Sequence, residues 1–391
     1  MSLFDEVIER RGTACLKYDF AVERGKPKDV LPFWVADMDF RTPPAVIEAL
    51  VERSRHGIFG YTGIKEDYRK TVVAWLKNHH GYAPAQETLT VTPGVVFAIC
   101  TAIRAFTEPG EAVLIMPPVY YPFANAVKDN LRRLVECPLV EKDGRYQMDL
   151  ADMEQKIKKE QVKLLLLCSP HNPVGRVWRR EELTQLAGLC LRHDVIVVAD
   201  EIHADFLRPG HRHQVFAALS PEIAQNTVTC TSPSKTFNLA GLQVSNIFIE
   251  NEKLRQKFRR TLRRTGYDEP NTLGLTAAKA AYDHGNEWLQ ELLAYLEENL
   301  RRTRVFLAKE MPLVRLIEPE GTYLLWLDFS RLGLTDEALN KLIVEQGRLW
   351  LDAGHIFGTG GENFQRINIA CPWSVLEEGL KRLAQCLPNG K

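Results

Sequence analysis

Three loops gather the side chains of this 391-residue chain that are able to do chemistry. They are Ser169-Pro170-His171-Asn172-Pro173-Val174-Gly175, Asp200-Glu201-Ile202-His203 and Ser232-Pro233-Ser234-Lys235, and each follows directly on a short apolar run. A lysine on an open loop is a solvated point charge. One partly desolvated between hydroxyls and an apolar turn, as Lys235 is between Ser234 and Thr236-Phe237-Asn238-Leu239, has a depressed pKa and forms Schiff bases with carbonyl groups. The hydroxyls of Ser232 and Ser234 suit a phosphate, and equally a turn cap. Asp200 suits either a cap at a strand exit or a carboxylate that keeps a pyridine-type nitrogen protonated, so that the ring draws electrons. His203 reads as a structural histidine unless this loop faces a ligand.

The runs that carry these loops are Val162 to Cys168, Val195 to Ala199 and Thr227 to Thr231, with Glu111 to Met116 and Val244 to Glu250 as further strand candidates. Between them Glu181 to His193 has helical spacing, so the core of the chain is α/β. In an open parallel sheet ligands bind at the carboxyl ends of the strands, which brings the three loops to one site. Gly94 to Thr107 is an amphipathic helix opened by Thr92-Pro93-Gly94, and its N-terminus offers an anion site. From Glu287 a long helical pattern runs to about Ala308, followed by a strand-like Gly321 to Phe329 and a helix around Thr335 to Gln346. This shift toward α+β places a boundary near Asp283 to Asn286. The expected division is a large domain, 46–284, and a smaller α+β domain of 1–45 and 285–391. The first 45 residues, broken by Pro27, Pro32, Pro43 and Pro44, are expected to lie across another domain.

Fifty basic and fifty acidic residues cancel, so no global field favours nucleic acid or an anionic membrane. No run approaches the roughly 18 apolar residues of a membrane span, and the acidic start, Asp5 and Glu6, lacks the basic region of a signal peptide. The eight cysteines have no zinc-ligand spacing and read as small apolar residues of a reducing, cytoplasmic compartment. No metal site is expected: His211-Arg212-His213 reads as a solvated turn. The arginines 259, 260, 263 and 264 read as a helix face that is solvated or engaged in ion pairs. Neither a phosphate-binding G-x-x-x-x-G-K nor a dinucleotide-binding G-x-G-x-x-G occurs.

Taken together, the motifs S-P-H-N-P-V-G-R, V-V-A-D-E-I-H and S-P-S-K-T-F-N-L-A-G-L, with Asn172, Asp200 and Lys235 separated by 200 − 172 = 28 and 235 − 200 = 35 positions, carry a resemblance. They resemble the pyridoxal-phosphate enzymes of the class I/II aminotransferase superfamily, fold type I. Trp34-Val35-Ala36-Asp37-Met38-Asp39-Phe40, Pro118-Val119-Tyr120-Tyr121-Pro122-Phe123 and His203 resemble its cystathionine β-lyase, or C-S lyase, subgroup. The resemblance runs from about Phe33 to Pro372. It implies a large domain with a mostly parallel seven-stranded sheet, and a homodimer with its active site at the interface.

The same resemblance implies the site. Lys235 would carry pyridoxal 5′-phosphate as a Schiff base, Asp200 would bind the pyridine nitrogen, Asn172 the ring oxygen, and Tyr120 would stack on the ring, with His203 beside it. The phosphate would rest on Gly94, Val95 and Val96 with Ser232 and Ser234, and Tyr61 would reach it from the other subunit. Arg366 would take the substrate α-carboxylate, with Ala36 and Asn172 also at the substrate. Many aminotransferases carry a phosphate-binding arginine where this chain has Gln243, which argues mildly against an ordinary aminotransferase. The implied activity is α,β-elimination from an amino-acid thioether, giving a thiol, pyruvate and ammonia. Transamination with a 2-oxo acid is the alternative, and a non-catalytic regulator of the same fold a third.

Overall fold

A computed structural model describes residues 2–388. Seven strands form the central sheet: β1 (Leu89–Thr92), β2 (Ala112–Ile115), β3 (Arg133–Glu136), β4 (Val162–Cys168), β5 (Ile196–Asp200), β6 (Thr227–Thr231) and β7 (Ser245–Phe248). Their order is β1-β7-β6-β5-β4-β2-β3. Neighbours from β6 to β3 are parallel, and β7 runs antiparallel to both β1 and β6. The sheet is the mostly parallel, seven-stranded one expected. Its two edges, β1 and β3, escape the sequence reading because neither is an apolar run; β3 reads Arg-Leu-Val-Glu with Arg133 exposed.

Alternation along the central strands decides which layer each side chain joins, since successive side chains of a strand point to opposite faces. Leu164, Leu166, Val113 and Val198 pack with Val95, Ile99 and Phe258 on one face. On the other, Leu165, Leu167, Leu114 and Val197 pack with Leu183, Leu186 and Trp178. A sheet buried on both faces needs near-continuous apolar strands. The helix α1 (Val95–Phe106) covers the first face and begins next to the end of β1.

A second, antiparallel sheet is built from β8 (Arg315–Ile317), β9 (Leu324–Asp328), β10 (Asp352–Ala353) and β11 (Phe364–Asn368), in the order β8-β9-β11-β10. The strand expected from Gly321 begins only at Leu324. Gly321 lies so close to the Phe206 carbonyl that a Cβ would come within 2.7 Å, and Thr322 takes a positive φ of 69°, so the chain turns there before it extends. Helix α2 (Thr272–His284) passes to the long helix α3 (Asn286–Glu310) through Gly285 alone. The expected C-terminal helical stretch forms as Asp336–Lys341 continued by a π-turn, Leu342–Gln346.

The N-terminal segment forms a strap over these elements. Leu31–Pro32 pairs in parallel with Leu349–Trp350, and Trp34 stacks on Trp350 at 4.4 Å. Phe4 is buried against Phe40, Trp288 and Tyr295. Phe33 lies on the helix α4 (Trp373–Cys386) at Gly379, where a Cβ would come within 2.4 Å of the ring. Gly379→Ala is therefore expected to lower stability by about 1–3 kcal/mol, seen as a lower midpoint in urea denaturation. An unchanged midpoint would contradict this seating of the strap.

Candidate active site

The parallel strands end on a cavity of about 430 Å³. Cross-strand register explains what is there: Asp200, the last residue of β5, pairs with Cys168 of β4 and Cys230 of β6, so the three loops leave the sheet side by side. Ala36, Gly94, Val95, Val96, Tyr120, Asn172, Asp200, His203, Ser234 and Lys235 all line the cavity. Sequence reasoning did not foresee the other walls, which include Phe97, Cys168, Ile202 and Val244, because nothing in an apolar residue's type distinguishes a wall from a core.

Lys235 lies in a four-residue helix, Pro233–Thr236, capped by the Ser232 hydroxyl, which accepts from the Ser234 N–H at 3.1 Å. Its Nζ donates to the Ala36 carbonyl at 2.6 Å. Enclosure by protein brings the amine down to about 8, with Asp37 and Asp200 opposing that shift and Arg366 adding to it. About a tenth is then neutral, and so nucleophilic, at pH 7, far more than for a lysine at its ordinary value.

Asp200 is the converse case. Burial raises its carboxyl to about 7, against the Ile202 N–H at 3.1 Å and the charge of Lys235. A carboxyl in this state gains most from a cationic hydrogen-bond donor placed in the cavity. His203 is buried beside it, and burial, with Lys235 and Arg366, holds its imidazole down to about 3. Its Nδ1 is buried without a partner, a polar atom aimed at nothing in the chain.

Arg366 stands one hydrogen bond behind the cavity wall. It donates to Asn172 Oδ1 at 2.9 Å and to the Trp34 carbonyl at 2.6 Å, and pairs with Asp352, which faces it across the β10–β11 ladder. Its Nε is buried and unpartnered. With its oxygen engaged by Arg366, Asn172 has its amide nitrogen left to offer a ligand. Asp352 went unforeseen, since a two-residue strand leaves no periodicity to read. Tyr323 escaped as well; its buried hydroxyl donates to the same Ala36 carbonyl at 2.9 Å.

Two of the expected residues, Ser232 and Tyr61, are not part of this lining. The Ser232 hydroxyl is turned to the Val244 carbonyl at 2.7 Å and bonds Ser234, so Ser232 supports the cavity from outside its lining. Tyr61 is 95 % exposed on a loop outside this cavity. Elsewhere His213, read as part of a solvated turn, is buried and bonds Glu201 at 3.0 Å. Arg259, read as solvated or ion-paired, instead donates to Thr90 and to the carbonyls of Glu87 and Leu89.

The residues present fit pyridoxal 5′-phosphate. An amine of lowered pKa, a buried carboxyl short of a cation and an orphaned imidazole nitrogen line one cavity together with the start of α1. That helix start exposes backbone N–H groups suited to a phosphate.

The chain matches the family described as aminotransferase class I and II over residues 28–383, and it belongs to that family. Cystathionine beta-lyase PatB of Bacillus subtilis (strain 168) is 46% identical over 384 residues, covering 98% of this chain and 99% of that protein. Among solved structures, cystalysin from Treponema denticola, which contains a pyridoxal 5′-phosphate cofactor, superposes with a TM-score of 0.95 at 39% identity, over 98% of each chain. The pyridoxal-phosphate-bound C-S lyase of Staphylococcus hominis has a TM-score of 0.93 at 35% identity, covering 98% of this chain and 97% of its own.

The state of Asp200 has a consequence for the cofactor-free protein. The folded chain keeps this proton up to about pH 7, whereas an unfolded chain releases it near 3.8. Its contribution to stability is full below about pH 4 and is lost as pH rises through 7. Asp200→Asn should remove that loss: on denaturation at pH 5 and pH 8, the wild-type apoprotein should weaken more than the variant. Equal weakening in both would contradict this state of Asp200.

Proposed function

We propose that this chain is a pyridoxal 5′-phosphate-dependent carbon–sulfur β-lyase that cleaves cystathionine, or another S-substituted cysteine, to a thiol, pyruvate and ammonia. The observation that carries this reading is the Lys235 amine, enclosed by protein and sharing one cavity with the buried carboxyl of Asp200. The family membership and the cystathionine β-lyase and C-S lyase names of similar proteins support it.

When bound, the cofactor supplies an electron sink conjugated to the substrate Cα. Lys235 holds the cofactor, and its amine, once free, removes the Cα proton as general base. Asp200 would keep the ring nitrogen protonated, Asn172 would donate to the ring oxygen, and Tyr120 and His203 would line the ring. The N–H groups of Gly94, Val95 and Val96 and the Ser234 hydroxyl would hold the phosphate, with Ser232 fixing Ser234. Arg366 binds the α-carboxylate through its free N–H groups, next to Asn172 and the Ala36 backbone. As the Cα–H electrons form a Cα–Cβ double bond, the Cβ–S electrons leave with the thiolate; the released enamine hydrolyses to pyruvate and ammonia.

The functional unit in this reading is a cytoplasmic homodimer. Ile47, Val51, Ile58, Phe59 and Tyr61, close in sequence, are all exposed; such side chains suit contact with a second copy, from which Tyr61 would reach the partner's phosphate. No helix among the described residues is long and apolar enough to cross a membrane, and all eight cysteines are unpaired. The large domain is 46–284, and 1–45 with 285–391 forms the smaller one, so that Ala36 and Arg366 approach the cavity from outside the cofactor domain.

Purified protein loaded with pyridoxal phosphate should release pyruvate and a thiol from cystathionine without any 2-oxo acid. Absence of pyruvate, with transamination once a 2-oxo acid is added, would overturn the lyase assignment. Lys235→Ala should lose the yellow absorbance of the loaded protein and at least about 10²-fold in turnover; colour and activity that persist would remove Lys235 from its role.

A further inference from the structure

The strap from Trp34 to Phe40 is held by side chains at almost every carbonyl. Arg366 takes the carbonyl of Trp34, and Asn368 takes those of Val35 and Asp37. Lys235 and Tyr323 share the Ala36 carbonyl, and Asn238 brackets Met38 and Phe40. The residue after the carbonyl on which Lys235 rests is Asp37. Its carboxylate makes a two-point pair with Arg10, at 2.6 and 3.2 Å, and has Lys17 Nζ at 3.6 Å. Both cations are shared with Asp39, at 2.6 Å from Arg10 and 2.9 Å from Lys17. Two carboxylates and two cations therefore form one neutral cluster beside the cavity, with Lys17 only 1 % exposed.

Resting on the reading of Lys235 as the cofactor lysine, we propose that Arg10 and Asp37 are positioning residues that set the protonation of Lys235 from the N-terminal strap. Asp37 favours a charged amine and Arg10 offsets it by holding the carboxylate in a pair.

The other charged or titratable groups that act on the amine come from elsewhere in the fold. Asp200 at the end of β5 favours its charge, Arg366 on β11 opposes it, and His203 is neutral. The Tyr323 hydroxyl meets the amine only through the shared carbonyl. Among these, the Arg10–Asp37 pair alone adjusts the charge without touching the cofactor ring or the substrate carboxylate. Lys17 and Arg10 hold Asp37 below the usual carboxylate range despite its burial, so the pair stays ionised throughout the working range.

The test is a pH titration of the absorbance of the loaded protein, whose colour reports the protonation of the lysine–cofactor link without turnover. Arg10→Gln leaves Asp37 less compensated and should raise the midpoint by about one pH unit; Asp37→Asn should lower it by a similar amount. Arg10→Lys keeps the charge and should stay near wild type, which guards against a folding defect in Arg10→Gln. A purely structural cluster would move neither midpoint, or both the same way, and either result overturns the proposal. The pH dependence of Lys235 methylation in the apoprotein, read by mass spectrometry, should shift in the same opposite directions. That second readout separates the two claims. Wild-type protein that takes no colour sinks the cofactor reading, while methylation rates that ignore both substitutions sink this one.

Discussion

An amine enclosed at the carboxyl ends of a parallel sheet must find an acceptor, and for Lys235 that acceptor is the carbonyl of Ala36, 199 residues earlier in the chain. Much of the architecture follows from that single contact. The N-terminal strap has to return across the sheet, Asn238 and Asn368 have to hold its backbone, and Tyr323 has to share the carbonyl. An unmet ammonium or an unfixed carbonyl in this setting would cost more than a surface contact returns.

The same region concentrates ionisable groups that folding alone would avoid. Arg366 and Asp352 are both buried, as are Asp200 and His203, and two of their nitrogens lack partners. Burying ions is costly even when they are paired, and replacing such pairs with apolar residues is often neutral or stabilising. Residues retained at that cost, around one cavity, are what a binding site for a zwitterionic substrate and an anionic cofactor requires. Overall neutrality then takes on a meaning that composition alone does not give it. The charges balance in small local sets, and the strap cluster of Arg10, Lys17, Asp37 and Asp39 is one of them.

The sheet was legible in the sequence where strands are buried on both faces, as in Val162–Cys168 and Thr227–Thr231, whose limits agree with the structure. It was illegible at the edges, where β1 and β3 mix polar and apolar residues and carry no period long enough to read. The site was legible through its motifs: Asn172, Asp200, His203 and Lys235 meet in one cavity because each ends or follows a strand of the same sheet. Partners that arrive by tertiary contact were not. Asp352 lies in a two-residue strand, Tyr323 follows a turn, and the Ala36 contact is made by a backbone oxygen that no side-chain type announces. Ser232 shows the opposite limit, since its residue type suits a phosphate while its hydroxyl is spent on Val244.

The most direct test of the central claim, that the enclosed amine of Lys235 carries the cofactor, is hydride reduction of the pyridoxal-phosphate-loaded protein followed by peptide mass mapping. A pyridoxyl group is expected on Lys235, at a stoichiometry near one per chain. A label on any other lysine, or a scatter of labels with Lys235 unmodified, would contradict it.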